Sequence, residues 1–468
     1  MNKSIRGVAL FVGVMFLALL INATASYWIR TDDLVNDARN TRVRDEEFGG
    51  PRGPILAANT PIVQSVPTGT TPYAYQRQYL DGPLYAPVTG YYSYIYGRSG
   101  LEQEFNAELT GQADSQFTQR ILDTLAGRSP AGGQVLTTIQ PKVQQAAWDA
   151  LGNQEGAAVA IDYQTGAILA WVSTPSFDVS QLASLDFSAT QAAWDQFTAD
   201  GSTVMNDRAT QEINAPGSTF KLVVAATALA NGYTPDSVID TPQALQLPQS
   251  THQLSNLAAC GNTTKTMDQA LTLSCNTSFA NIGMALGEDK IKAQAEAFGF
   301  NSSLGDGLTS AASVYPTGMS QAELAMASIG QFDVATTPLQ MAVVAGAIAN
   351  GGTVMEPYIV QEIRGSNESV LSTHQPVVRG QAMTQANAAT LAEMMTHVIK
   401  SGTGTAAQIS GMTVGGKTGT AETSVGGGDH SWFTGYIAEK HVAVAVYLAT
   451  ETTTTATPIA RSIMEALP

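Results

Sequence analysis

The longest uninterrupted apolar run lies near the N-terminus, from Gly7 to about Ala25, with no charged side chain inside it and with Lys3 and Arg6 ahead of it. A helix over that run is long enough to cross a hydrocarbon layer of roughly 30 Å, and the basic end is expected to stay inside. Tyr27, Trp28 and Ile29 continue it like an interfacial belt, which favours an uncleaved anchor. The rival is a cleaved signal peptide, because Ala23-Thr24-Ala25 has the small-x-small form of a cleavage site. Everything after Arg30 is then expected outside the cytoplasm, in a membrane-bound protein with a cytoplasmic N-terminus.

Beyond the anchor the rhythm changes twice. Residues 31 to about 150 hold short strand-like segments separated by Gly and Pro, including Gly49-Gly50-Pro51-Arg52-Gly53-Pro54 and the run Tyr85-Ala86-Pro87-Val88-Thr89-Gly90-Tyr91-Tyr92. No long amphipathic pattern stands out there, so this part reads as an extended spacer or docking module. After Gly152 to Gly156, the runs Ala157–Asp162 and Ala167–Val172, joined by Tyr163-Gln164-Thr165-Gly166, predict a hairpin of two buried strands. The pattern then becomes helical, over Phe220–Ala230, Met267–Leu273, Thr277–Leu286 and Pro338–Ile348, with Asn-Gly stops after the first and last. Gly415–Ala421, Ser431–Ile437 and Val442–Ala449 predict three more strands, and Pro458–Leu467 a closing helix. Strands at both ends of a helical middle predict an α+β fold, an antiparallel β-sheet flanked by helices. The expected divisions are 1–30 (anchor), 31–150 (pedestal) and 151–468 (the domain that carries the chemistry).

Composition narrows the possibilities. Only 13% of the 468 residues are charged, against roughly a quarter in an average soluble domain, which suits an extracytoplasmic surface. The net charge of −16 leaves no basic face for nucleic acid. Five scattered histidines show no metal-ligand spacing and there is no phosphate loop, so no metal and no nucleotide cofactor is expected. The two cysteines, Cys260 and Cys275, are either unrelated thiols or a disulfide, which outside the cytoplasm would close a loop worth roughly 3 kcal/mol.

One serine, Ser218, stands three residues before a lysine, Lys221, in Pro216-Gly217-Ser218-Thr219-Phe220-Lys221. A serine hydroxyl needs a positioned base, and a neutral lysine amine is one. If a helix begins near Ser218, the offset of three places hydroxyl and amine on one face. Taken alone, the pair is more often a helix cap with a solvated lysine. Two further motifs follow in order: Ser274-Cys275-Asn276, 56 positions on (274 minus 218), and Lys417-Thr418-Gly419, 143 beyond that (417 minus 274).

Three motifs in this order resemble those of the penicillin-recognising serine acyltransferases, and the whole chain is similar to the class B penicillin-binding proteins. Arg52-Gly53-Pro54-Ile55, Asn206-Asp207-Arg208-Ala209, Gly330-Gln331 and Trp432-Phe433-Thr434-Gly435 match family segments. Within the family, Met1–Arg6, the Tyr85–Ser93 run and the cysteine pair are similar to the A group of mycobacteria and corynebacteria. The resemblance implies a penicillin-binding transpeptidase fold with an α-helical subdomain, an extended β-rich, dimerisation-like pedestal and a transmembrane helix. It also implies a D,D-transpeptidase that opens a D-Ala-D-Ala stem peptide, holds it on Ser218 and passes it to an amine, and that β-lactams acylate.

By the same resemblance Lys221 is the base, with its pKa depressed by burial and by Lys417, Ser274 relays a proton to the leaving amine, and Asn276 binds the substrate amide and steers Lys221. Lys417, Thr418 and Thr420 meet the terminal carboxylate, Gly419 leaves room for substrate, and the N–H groups of Ser218 and Thr420 form the oxyanion hole. A Cys260–Cys275 bond, peculiar to a subgroup, would pin the loop that carries Ser274. Implied partners are peptidoglycan stem peptides, β-lactams, the cytoplasmic membrane and a polytopic glycosyltransferase of the shape, elongation and division family. The rival functions are a D,D-carboxypeptidase or β-lactamase, which hands the acyl group to water, and a non-catalytic penicillin sensor or scaffold.

Overall fold

The computed structural model describes residues 3–35, 41–125, 131–422, 428–450 and 455–468. The chain forms two compact units, Met1–Pro51 with Val66–Gln76, and Arg52–Ser65 with Arg77–Pro468. In the first, helix α1 (Lys3–Val35) contains a segment, Ile5–Tyr27, that is long and apolar enough to cross a membrane. Met1, Asn2 and the side chains of Lys3, Trp28 and Ile29 lie outside the described residues. The Phe48 ring meets Tyr73 edge to face at 5.7 Å.

In chain order the elements that frame the second unit are strands β1 (Ile55–Ala57), β2 (Thr60–Pro67) and β3 (Tyr75–Tyr79), helix α2 (Gly82–Thr89), strand β4 (Gln134–Thr137), helix α3 (Pro141–Leu151), and strands β5 (Gly156–Asp162) and β6 (Ile168–Thr174). Helices α4 (Lys221–Ala230), α5 (Met267–Thr272), α6 (Asn276–Leu286) and α7 (Pro338–Ala349) follow, then β7 (Val360–Arg364), β8 (Val370–Thr373), α8 (Gln385–Ser401), β9 (Val414–Ala421), β10 (His430–Ile437), β11 (Val442–Leu448) and α9 (Ala456–Glu465).

The sheet that carries the site has the order β9-β10-β11-β5-β6, antiparallel throughout. Its central strand β11 is buried along its whole length and has two faces of different size. Val442, Val444, Val446 and Leu448 pack with Val143, Ala147 and Leu151 of α3 and Ile459 and Ile463 of α9. Ala443 and Ala445 turn to the opposite core, where α7, apolar on every side, lies against them. This explains why β5, β6 and β11 read as continuous apolar runs: with helices on both faces, neither set of alternate positions meets water. Each fully buried aliphatic side chain contributes about 1.5–3 kcal/mol.

The pedestal is less purely β than its sequence suggests. The run from Tyr85 was read with the strand-like segments, yet Gly82–Thr89 is helical. Pro83 sits in the first turn, where its missing N–H costs nothing, and the carbonyl that Pro87 leaves free, that of Pro83, accepts from Ser176 Oγ at 2.8 Å. Helix α3 likewise lies where no amphipathic pattern was recognised, although Pro141 and the buried stripe Val143, Ala147, Leu151 mark it. The pedestal sheet, ordered β8-β7-β4-β1-β2-β3, takes β7 and β8 from far along the chain, so residues 360–373 return to it.

Glu102, on the short helix Gly100–Glu104, is fully buried and binds two arginines, one of them on β3: Arg52 Nη2 donates to Oε2 at 2.8 Å and Arg77 Nε to Oε1 at 2.6 Å. Burial alone would raise the Glu102 pKa, but Arg77 and Arg52 more than offset it and hold it below the usual carboxylate range. Glu102→Gln leaves both guanidinium groups buried without a counter-charge. We expect it to destabilise the protein by about 3 kcal/mol or more, read as a shift in the urea midpoint; a change under about 1 kcal/mol would show that the cluster tolerates its own net charge.

Candidate active site

Ser218 lies in a single 3-10 turn, Gly217–Phe220, that runs directly into α4. The turn is made possible by close backbone packing. Gly217 has φ +51°, and a Cβ there would stand 2.3 Å from Thr420 O. Gly217 N donates to Gly330 O at 2.9 Å, and a Cβ on Gly330 would come within 2.0 Å of Gly217 O. Gly419 of β9 sits against the same turn, where a Cβ would meet Pro216 O at 2.8 Å. These glycines are needed because three stretches of main chain touch here. Ser218 is half-buried and opens onto a cleft of about 540 Å³ whose other walls include Ser274, Asn276, Thr418 and Thr420.

Lys221 and Lys417 are both fully buried beneath that cleft. Lys221 Nζ donates to Ser274 O at 2.8 Å and to Asn276 Oδ1 at 2.7 Å, and lies 3.3 Å from Ser274 Oγ. Lys417 Nζ donates to Ser274 Oγ and to Thr418 O, both at 2.8 Å. Neither amine has a carboxylate partner among the described residues. Burial therefore acts unopposed: it pushes Lys417 down to about 7. Lys221 is driven well below the ordinary lysine range, by burial first and by Lys417 second.

The arrangement differs from the expected one in one respect. The offset of three does place Lys221 below Ser218, but the amine turns to Ser274 and Asn276, and no hydrogen bond joins it to the Ser218 hydroxyl. A backbone carbonyl and an amide oxygen are stronger acceptors than a hydroxyl, and Ser274 O and Asn276 Oδ1 take the amine.

Ser274 is held at φ +60°, a left-handed conformation uncommon outside glycine, between α5 and the first turn of α6. Cys275 beside it is joined to Cys260 by a disulfide, and both residues are fully buried. The same two segments are also stitched by Asn276 Nδ2 to Ser255 O at 3.1 Å and Thr277 N to Asn256 Oδ1 at 3.0 Å. One wall of the cleft, which includes Ser255 and Leu257, is thus fixed to the loop that carries Ser274.

Lys417 stands on β9, an edge strand, opposite Thr434, and Gly419 stands opposite Trp432. Thr434 Oγ1 donates to Met341 O at 2.7 Å, which ties β10 to α7 behind the site. Asn206–Ala209 lies away from the cleft: Asp207 is half-buried and accepts from Trp171 Nε1 at 3.0 Å, and Arg208 reaches Glu155 at 2.5 Å. That segment braces β6 and touches no reacting position. Among the described residues no group of His, Cys, Asp and Glu is placed to hold a metal ion. Sequence reading missed Thr403, which lines the cleft beside Thr418. Its only sequence signal is a glycine on each side.

A serine-bearing turn beside two buried lysines, on the edge of an antiparallel sheet, is the arrangement of a serine acyltransferase of the penicillin-recognising class. The penicillin binding protein transpeptidase domain model matches residues 156–465, and the penicillin binding protein A dimerisation domain model matches 52–135. The peptidoglycan D,D-transpeptidase PbpA of Mycolicibacterium smegmatis is 39% identical over 96% of this chain and 94% of its own, and that of Mycobacterium tuberculosis is 36% identical over 100% and 99%. Penicillin-binding protein A from M. tuberculosis, as a penicillin G acyl-enzyme complex, superposes with a TM-score of 0.84 at 36% identity, covering 89% of this chain and 99% of that one. The chain belongs to the class B penicillin-binding protein transpeptidases.

If the disulfide matters through its hold on Ser274, reduction should slow acylation by a labelled penicillin several-fold without unfolding the protein. Equal rates with and without reductant, in protein shown by mass to carry free thiols, would remove that role.

Proposed function

We propose that this protein is a peptidoglycan D,D-transpeptidase in which Ser218 is the nucleophile and Lys221 its base. The observation that carries the reading is the pair of buried lysine amines converging on Ser274 with no carboxylate partner among the described residues. A neutral Lys221 amine has two N–H groups, and Ser274 O and Asn276 Oδ1 take both. Its lone pair is left to receive the Ser218 proton as Oγ attacks the carbonyl of the penultimate D-Ala. The N–H groups of Ser218 and Thr420 stabilise the resulting oxyanion, a contribution of about 3 kcal/mol per donor in related chemistry.

Ser274 then connects the two lysines as a proton path. Lys417 donates to its Oγ, and the Ser274 proton goes to the departing nitrogen, which releases the terminal D-Ala and leaves an ester on Ser218. Thr418, Thr420 and the charge on Lys417 hold the terminal carboxylate. Gly419 lets the substrate backbone lie along β9, and Asn276 turns its amide to the incoming peptide. An amine from a neighbouring stem peptide then attacks the ester carbonyl; the cross-link forms as the Ser218 ester bond breaks, the amine proton passes through Ser274 to Lys417, and Lys221 returns its proton to Ser218 Oγ. A β-lactam follows the first half of this path and stops at the ester.

Two further readings are ours. Residues 1–30 anchor the protein with its N-terminus in the cytoplasm, 31–150 form the pedestal, and 151–468 the catalytic domain; the apolar segment Ile5–Tyr27 behind Lys3 and Arg6 supports the orientation. Family likeness of the pedestal supports a polytopic glycosyltransferase as the partner that supplies glycan strands.

Incubation with penicillin G should add one inhibitor mass to the wild-type chain and none to Ser218→Ala; labelling of both would place the nucleophile elsewhere. The second-order acylation constant should trace a bell against pH. On the acid side Lys221 gains a proton and cannot act as base, and on the alkaline side, from about pH 7 upward, Lys417 loses the charge that attracts the carboxylate. A rate constant that is flat from pH 6 to 9 would contradict this division of labour.

A further inference from the structure

Thr403 is not part of any of the three motifs, yet its Oγ1 lies 2.5 Å from Thr418 Oγ1. It belongs to the segment that follows α8 and lines the same cleft. Its place is tightly set. Thr403 N donates to Thr272 O at 3.3 Å, Gly404 N donates to Val398 O at 3.1 Å, and a Cβ on Gly402 would stand 2.2 Å from Thr272 O. Thr272 closes α5, the helix that leads into Ser274. Thr403 is therefore braced on the Ser274 wall of the cleft while its hydroxyl touches the β9 wall. The side chain is exposed and its hydroxyl makes no other hydrogen bond among the described residues, so packing does not account for it.

We propose that Thr403 is a specificity residue for the terminal carboxylate, the third hydroxyl of a cluster with Thr418 and Thr420. Two hydroxyls in contact share one proton between them, so in the empty cleft one donor is spent within the pair. An anion accepts from both, because each hydroxyl has a free rotor and the carboxylate oxygens offer about four lone-pair sites. A neutral ester offers weaker acceptors and leaves the pair bonded to itself. Thr403 thus adds binding only for the charged group, and it does so where the described cleft-lining residues include no arginine.

This rests on the transpeptidase reading above, and the experiment separates the two. Acylation rates are measured for a penicillin with its free carboxylate and for its methyl ester, in wild type, Thr403→Val and Thr403→Ser. Thr403→Val keeps the shape and removes the hydroxyl. We expect it to slow acylation by the free acid about tenfold and leave the ester within twofold, so the preference for the acid narrows; Thr403→Ser should restore it. Equal loss with both compounds would make Thr403 structural, and no loss with either would leave it no part in recognition; both outcomes overturn the inference. Failure of wild type to be acylated by either compound would overturn the transpeptidase reading itself, and this inference with it.

Discussion

Two fully buried lysine amines meet one serine hydroxyl with no carboxylate partner among the described residues, and much of the second unit is arranged around that meeting. An ammonium buried without a counter-ion is costly, so the pair does not carry two full charges near neutral pH. What stabilises the amines instead is a set of carbonyl and hydroxyl acceptors: Ser274 O, Asn276 Oδ1, Thr418 O and Ser274 Oγ. Those acceptors come from separate elements, and each must be held in place for the others to be satisfied. The left-handed Ser274 and the disulfide beside it belong to that requirement, since a loop free to relax would leave both amines without partners.

The edge position of β9 follows from the same need. A lysine on an edge strand is ordinarily a solvated guard against pairing. Here the strand has one neighbour, β10, and its free side forms a wall of the cleft, while the Lys417 side chain turns inward beneath it. Gly217, Gly330 and Gly419 let the Ser218 turn approach that strand closely enough for Ser218 and Thr420 to line one cleft. Thr403 approaches from the side of α5, so the two walls that carry the motifs are also joined at the hydroxyl cluster.

The fold was legible where burial is uniform. Strands β5, β6 and β11 and helices α4 and α7 are largely apolar runs, and together with β9, β10 and α6 they lie within a few residues of where the pattern places them. The pedestal was harder to read. Helix α2 contains two prolines, which argue against a helix in isolation, and it persists because Ser176 and the surrounding core satisfy what Pro87 leaves open. The return of β7 and β8 to the pedestal sheet pairs residues more than 200 positions from β4, a relation with no local signal.

At the site, the identity and order of Ser218, Lys221, Ser274, Asn276, Lys417, Thr418, Gly419 and Thr420 are properties of the chain, and so is the charge pattern around the N-terminal apolar segment. Motif order sufficed for the class of chemistry, because few functions need those side chains in that succession. Local sequence could not say which hydroxyl the lysine amines would face, that Cys260 and Cys275 would meet, or that Thr403 would reach Thr418. Each of these depends on segments far apart in the chain arriving together, and it is packing over the whole core, not any spacing of letters, that sets those distances.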